Sequence, residues 1–183
     1  ENRPADVLRA APVKINAVAL RGINDDELTE LARLTFSWPV HVRFIEQMPF
    51  GNIPNPDALP LLAPEIRKRI EAIAPLSPVA REENDGPARR FRFAGAPGEI
   101  GLITAVSEHF CQECNRLRLT ADGRLRTCLL SNQTTDLKTA LRRKADDEEL
   151  AAIFMAAVAR KPRKHHLNTS ETACLHHMNA IGG

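Results

Sequence analysis

Residues 13–46 read VKINAVALRGINDDELTELARLTFSWPVHVRFIE, and this stretch sets the fold class. Val13–Leu20 has the length and apolar content of a short strand. Its period-two alternation puts Lys14 and Asn16 on one side and Val13, Ile15 and Ala17 on the other. Asn24 followed by Glu27 has the pattern of a capping box, and Leu28, Leu31, Ala32 and Leu34 then recur at near-helical spacing. Ser37–Pro39 stops that helix, because the residue before a proline avoids the helical region. Val40–Glu46 reads as a second strand. Strand, helix and strand joined in this way predict parallel strands in an α/β fold.

Beyond this unit the chain changes character. Residues 49–64, PFGNIPNPDALPLLAP, are a loop punctuated by proline and glycine. Pro64 suits the first turn of a helix whose apolar stripe is Ile66, Ile70 and Ile73, with Arg67, Lys68 and Arg69 on its solvated face. Residues 83–86 read as a turn, and 90–93 and 100–104 as paired strands of a β-rich subdomain. Asp136 and Asp146 are placed to cap two later helices. The second of these carries Leu150, Ile153, Phe154, Ala157 and Val158 as a packing stripe and closes at Pro162. The basic run at 160–166 reads as a solvated helix end.

Residues 110–130, FCQECNRLRLTADGRLRTCLL, concentrate the chemistry. Cys111, Cys114 and Cys128 form C-x2-C-x13-C, and Arg116 and Arg118 follow the first pair with leucines alternating between them. The turn signal at 121–123 predicts a hairpin that carries three thiolates and two guanidiniums near its base. Three assignments suit such a set. One is structural zinc completed by His109, and another is a Cys111–Cys114 disulfide that leaves Cys128 unexplained. The third is an iron–sulfur cluster with one iron open to a ligand. Spacing alone does not choose among them.

Composition sets outer bounds. The chain has 183 residues, 43% hydrophobic and 26% charged, with a net charge of +2. That balance does not call for a nucleic-acid partner, and aromatic residues at 4% supply few stacking platforms for bases. No apolar run approaches the roughly 20 residues that span a bilayer. Clustered cysteines in a C-x-x-C frame suit a reducing cytoplasm.

The hairpin motif CQECNRLRLTADGRLRTCL resembles the C-terminal cluster motif of the GTP 3′,8-cyclases, radical S-adenosylmethionine enzymes of molybdenum cofactor biosynthesis. VKINAVALRGIN at 13–24, VRFIEQMPFG at 42–51 and MNAIGG at 178–183 resemble the same family in the same order. The resemblance implies that residues 1–50 are the last strands and helix of an incomplete (β/α) TIM-like barrel. It implies that 51–183 form an α+β subdomain with an iron–sulfur hairpin and a Gly-Gly tail. Cys111, Cys114 and Cys128 would hold a 4Fe–4S cluster with an open iron. Lys14, Arg43, Arg116 and Arg118 would bind GTP, with Arg116, Arg118, Gly182 and Gly183 as catalytic positions. Asn16 and Met48 would line the S-adenosylmethionine side.

The family's second 4Fe–4S cluster needs C-x3-C-x2-C, a pattern that does not occur in this sequence. The chain therefore reads as the substrate-binding part of a longer enzyme, inactive alone. Its expected partners are GTP, the radical S-adenosylmethionine half, a downstream cyclic pyranopterin monophosphate synthase and a second copy in a homodimer. The competing reading is a non-catalytic zinc hairpin that binds a nucleotide or RNA.

Overall fold

A computed structural model describes residues 13–48, 59–82, 85–108 and 110–164. These fall into two compact units that divide between Phe110 and Cys111.

The first unit is built on a five-stranded mixed sheet in the order β1-β2-β5-β4-β3. Its strands are β1 (Lys14–Ala19), β2 (His41–Glu46), β3 (Leu76–Pro78), β4 (Arg89–Phe93) and β5 (Glu99–Ile103). β1 and β2 run parallel in the register Lys14↔His41 and Asn16↔Arg43, joined through helix α1 (Leu28–Ser37). The strand–helix–strand reading of 13–46 thus holds. The strands at 90–93 and 100–104, assigned from sequence to the subdomain of the hairpin, instead complete this sheet. β5 lies parallel to β2 and antiparallel to β4. All five β5 residues are buried, as a central strand covered on both faces requires.

The core lies on one face of the sheet. β2 alternates, with Val42, Phe44 and Glu46 buried and His41, Arg43 and Ile45 half-buried on the opposite face. Against the buried side pack Leu28 and Ala32 of α1 and Ile66 and Ile70 of α2 (Ala63–Glu71). Phe36 and Phe93 stack with ring centroids 4.7 Å apart.

The sequence assigned α1 a capping box at Asn24, and the structure uses that residue otherwise. Asn24 Oδ1 accepts from Leu20 N at 2.8 Å while its Nδ2 donates to Val18 O at 2.9 Å. The side chain thereby closes the turn after β1, and α1 starts later, with Glu27 at the N-cap position and no side-chain cap. The apolar stripe shifts accordingly. Leu28, Ala32 and Thr35 are buried, and Leu34 faces outward. Arg69, expected in solvent, pairs with Asp25 and Glu65, and Arg21 joins Glu65 to fasten the turn to α2.

The second unit carries a three-stranded antiparallel sheet of β6 (Arg118–Leu119), β7 (Arg124–Arg126) and β8 (Thr135–Asp136). Gly123 occupies the hairpin turn with φ +81°, a conformation that side chains with a Cβ resist. Helices α3 (Lys138–Arg142) and α4 (Asp147–Ala159) follow. Asp136 accepts from Thr139 N and Oγ1, and Asp146 accepts from Glu149 N, as the capping patterns predict. The carboxylate of Glu149 turns to Arg143 rather than back to its own cap. Of the stripe expected on α4, Ala157 and Ile153 pack with Leu125 and Leu137. Phe154 and Val158 are exposed, because that core is small.

Glu46 is the polar center of the first unit. It is 1% exposed, and its carboxylate accepts from Ala63 N, Val106 N and Ser107 N at 2.8 Å each and from Ser107 Oγ. Replacing it leaves several buried donors without acceptors. Glu46→Ala is expected to destabilise the protein by about 3 kcal/mol, read as a lower urea midpoint with an unchanged denaturant slope.

Candidate functional site

In the first unit the parallel pairing of β1 and β2 puts Lys14, Asn16 and Arg43 on the face opposite the core. Asn16 and Arg43 are register partners, and Arg43 Nε donates to Asn16 Oδ1 at 2.7 Å. Gly101, on β5, is the register partner of Arg43 from the other side. A Cβ there would stand 2.8 Å from Arg43 Cγ, so glycine makes the space in which the arginine stem lies. Met48 is half-buried just after β2.

Lys14, His41 and Arg43 line a cavity of about 230 Å3 together with Arg90, Glu99 and Gly101. The sequence reading did not mark His41, Arg90 or Glu99. Their only signal was alternation on strands, which says that residues share a face without saying that strands distant in sequence become neighbors. The Glu99 side chain is 6% exposed and pairs with Arg92, with Arg90 Nε at 3.6 Å and with His41 Nε2 at 3.7 Å. Glu99 thus answers the cations at the edge of this face, while Arg43 bonds to the neutral Asn16 amide.

Burial lowers the pKa of His41 from its ordinary value. Glu99 opposes this, and Lys14, Arg90 and Arg43 add to the lowering. The folded value therefore lies below the unfolded one, about 6.5. The unfolded chain takes up the proton first, so the stability tied to neutral His41 is complete above that value and is lost as pH falls through the folded pKa. His41→Gln is expected to flatten the fall of urea stability between about pH 7 and pH 5 relative to the wild type.

In the second unit Cys111–Glu113 form a 3₁₀ turn, with Cys114 N donating to Cys111 O at 3.3 Å. Cys128 follows the other hairpin strand. All three are free, half-buried thiols. Burial pushes the Cys128 thiol up, and Cys111 and Cys114 push in the same direction, while a backbone bond from Leu130 and the charge of Lys161 act against them. Three half-buried thiols, two of them in a C-x-x-C turn, are soft donors of the type that binds an iron–sulfur cluster, whose thiolates stand farther apart than those around a single ion. Among the described residues, no three His, Cys, Asp or Glu side chains come together closely enough to hold a metal ion. His109, Gly182, Gly183, Cys174, His176 and His177 lie outside the described residues.

The two arginines of the hairpin differ. Arg118 opens β6 opposite Arg126, and Arg116 precedes the strand and is exposed, so the expected common face is not set by one strand. Burial lowers the Arg118 pKa, Arg116 and Arg126 lower it further, and Cys114 raises it. Lys161 was read as solvated, but its Nζ donates to Cys114 O at 2.6 Å and to Arg116 O at 3.0 Å. No helix among the described residues is long and apolar enough to cross a membrane.

Comparison with known proteins gives the family. The family described as Molybdenum Cofactor Synthesis C matches residues 40–167. GTP 3′,8-cyclase of Moorella thermoacetica is 49% identical over 156 residues, which cover 85% of this chain and 48% of that protein. GTP 3′,8-cyclase of Pelotomaculum thermopropionicum is 47% identical over 158 residues, 85% of this chain and 49% of that one. Molybdenum cofactor biosynthesis protein 1 of Homo sapiens is 44% identical over 155 residues, 84% of this chain and 24% of the relative. The chain thus spans about half the length of the first two relatives. It belongs to the Molybdenum Cofactor Synthesis C family.

Proposed function

We propose that this chain is the substrate-binding part of a GTP 3′,8-cyclase, which joins C3′ of GTP to C8 of its guanine in molybdenum cofactor biosynthesis. The observation that carries the reading is the hairpin, where three free, half-buried cysteines and the half-buried Arg118 belong to one short segment of the second unit. The names and identities of the relatives support it. β1, α1 and β2 would then belong to a (β/α) barrel, with β5 added in parallel beside β2, and the segment from Cys111 onward would carry the cluster and the Gly182–Gly183 tail. The radical S-adenosylmethionine part of the reaction belongs to a longer chain, with Asn16 and Met48 on its side.

Cys111, Cys114 and Cys128 would hold a 4Fe–4S cluster. When bound, such a cluster supplies an open Lewis-acidic iron suited to a nitrogen or oxygen of the purine. The work of the protein's own residues is electrostatic and geometric. Following the resemblance, Lys14, Arg43, Arg116 and Arg118 would be the residues that meet the charge of a triphosphate, about −4. Arginine suits this task because its planar fork bonds phosphate oxygens in pairs and keeps its charge when dehydrated. Base and phosphates held at fixed points bring C3′ and C8 together, which lowers the barrier through proximity rather than proton transfer. Asn16, bonded to Arg43, would keep that guanidinium directed along the strand face.

Anaerobic reconstitution of the chain, with iron, sulfide and zinc quantified, tests the reading. About four irons and four sulfides per chain are expected, with GTP perturbing the cluster spectrum and no turnover by the chain alone. One zinc without sulfide and without a response to GTP would overturn it. Arg118→Ala is expected to weaken GTP binding about tenfold or more, the scale of one charge-assisted contact, with the iron content unchanged.

A further inference from the structure

Lys161 does more than the basic run around it. α4 ends at Ala159, and Lys161 N bonds to Val158 O at 3.0 Å, which fixes where the side chain departs. Its ammonium has three N–H bonds, and three acceptors surround it. They are Cys114 O at 2.6 Å, Arg116 O at 3.0 Å and Cys114 Sγ at 3.5 Å. A lysine at a helix end ordinarily serves the carbonyls of its own helix. This one serves a segment 47 residues away in sequence.

We propose that Lys161 is a positioning residue for the metal–thiolate hairpin: it holds the end of the Cys111–Cys114 turn by the Cys114 carbonyl and the chain just beyond it by the Arg116 carbonyl, and it donates a hydrogen bond to the Cys114 sulfur. The inference rests on the reading of that hairpin as a cluster site. The carbonyl contacts lock the backbone on both sides of Asn115, and thereby the point from which Arg116 and Arg118 start. The sulfur contact has a different consequence. A cationic donor on a ligand sulfur withdraws electron density and favors the reduced state, so it raises the reduction potential of a cluster bound there. One side chain thus sets both the shape of the ligand turn and the electronics of one ligand.

The test compares wild type, Lys161→Met and Lys161→Arg in the 183-residue chain, reconstituted anaerobically. Metal retention against a chelator and the midpoint potential and paramagnetic spectrum of the reduced cluster are recorded. Methionine keeps an unbranched stem and removes every donor, whereas arginine keeps charge and donors. Lys161→Met is expected to lose metal several-fold faster and to shift the potential of the remaining cluster to more negative values, with Lys161→Arg close to wild type. Unchanged retention and potential in Lys161→Met would overturn the proposal. So would faster loss with an unchanged potential, which would reduce the lysine to packing. Failure of Lys161→Arg to restore either property would also overturn it. If the wild type itself holds zinc without sulfide, the cluster reading falls on that result alone. The lysine is then judged by zinc retention, and equal retention in Lys161→Met refutes it.

Discussion

A buried carboxylate is stable only where hydrogen bonds replace the water it has lost, and the first unit is arranged around one such group. Glu46 ends β2 and accepts from the start of α2 and from the segment after β5. The three elements that meet there are distant in sequence, so no local propensity could bring them together. The carboxylate does so because four donors converge on its two oxygens, a network strong when complete and costly when broken. With the C-terminal end of β2 held in this way, the register of β2 against β1 and β5 is held too. The opposite face then keeps Lys14, Asn16 and Arg43 side by side.

The same logic of answered and unanswered charge separates the two faces of the sheet. On the core side the charge of Glu46 is met by backbone donors. On the other side Glu99 gathers Arg90, Arg92 and His41. In the second unit Arg116 and Arg126 lower the Arg118 pKa while Cys114 raises it.

Much of this was readable from local pattern. Alternation located β1 and β4, prolines bounded α1 and α2 and so marked β2 as the strand that follows, and cysteine spacing with AlaAspGly located the hairpin. What could not be read was long-range pairing. β5 is a run of five residues whose place beside β2 depends on covering both faces, and nothing in EIGLI names its neighbor. For the same reason His41, Glu99 and Arg90 were missed as a group. Asn24 misled because the bonds that cap a helix can also close a turn, and the backbone after β1 used both its donor and its acceptor. Lys161 misled because a charge run in sequence carries no record of which member folds back onto a distant carbonyl.

The pairing of β2 with β5 also governs the order in which the chain can assemble. β1, α1 and β2 are contiguous, but the second side of β2 finds its partner only when His41 meets Glu99 and Ile45 meets Ile103. During synthesis β2 therefore emerges with one row of backbone donors and acceptors open, and it stays so until β5 has left the ribosome. Parallel pairing across so long an intervening segment raises contact order and slows folding. Until it closes, the half-built sheet presents a strand edge on which other nascent chains could pair.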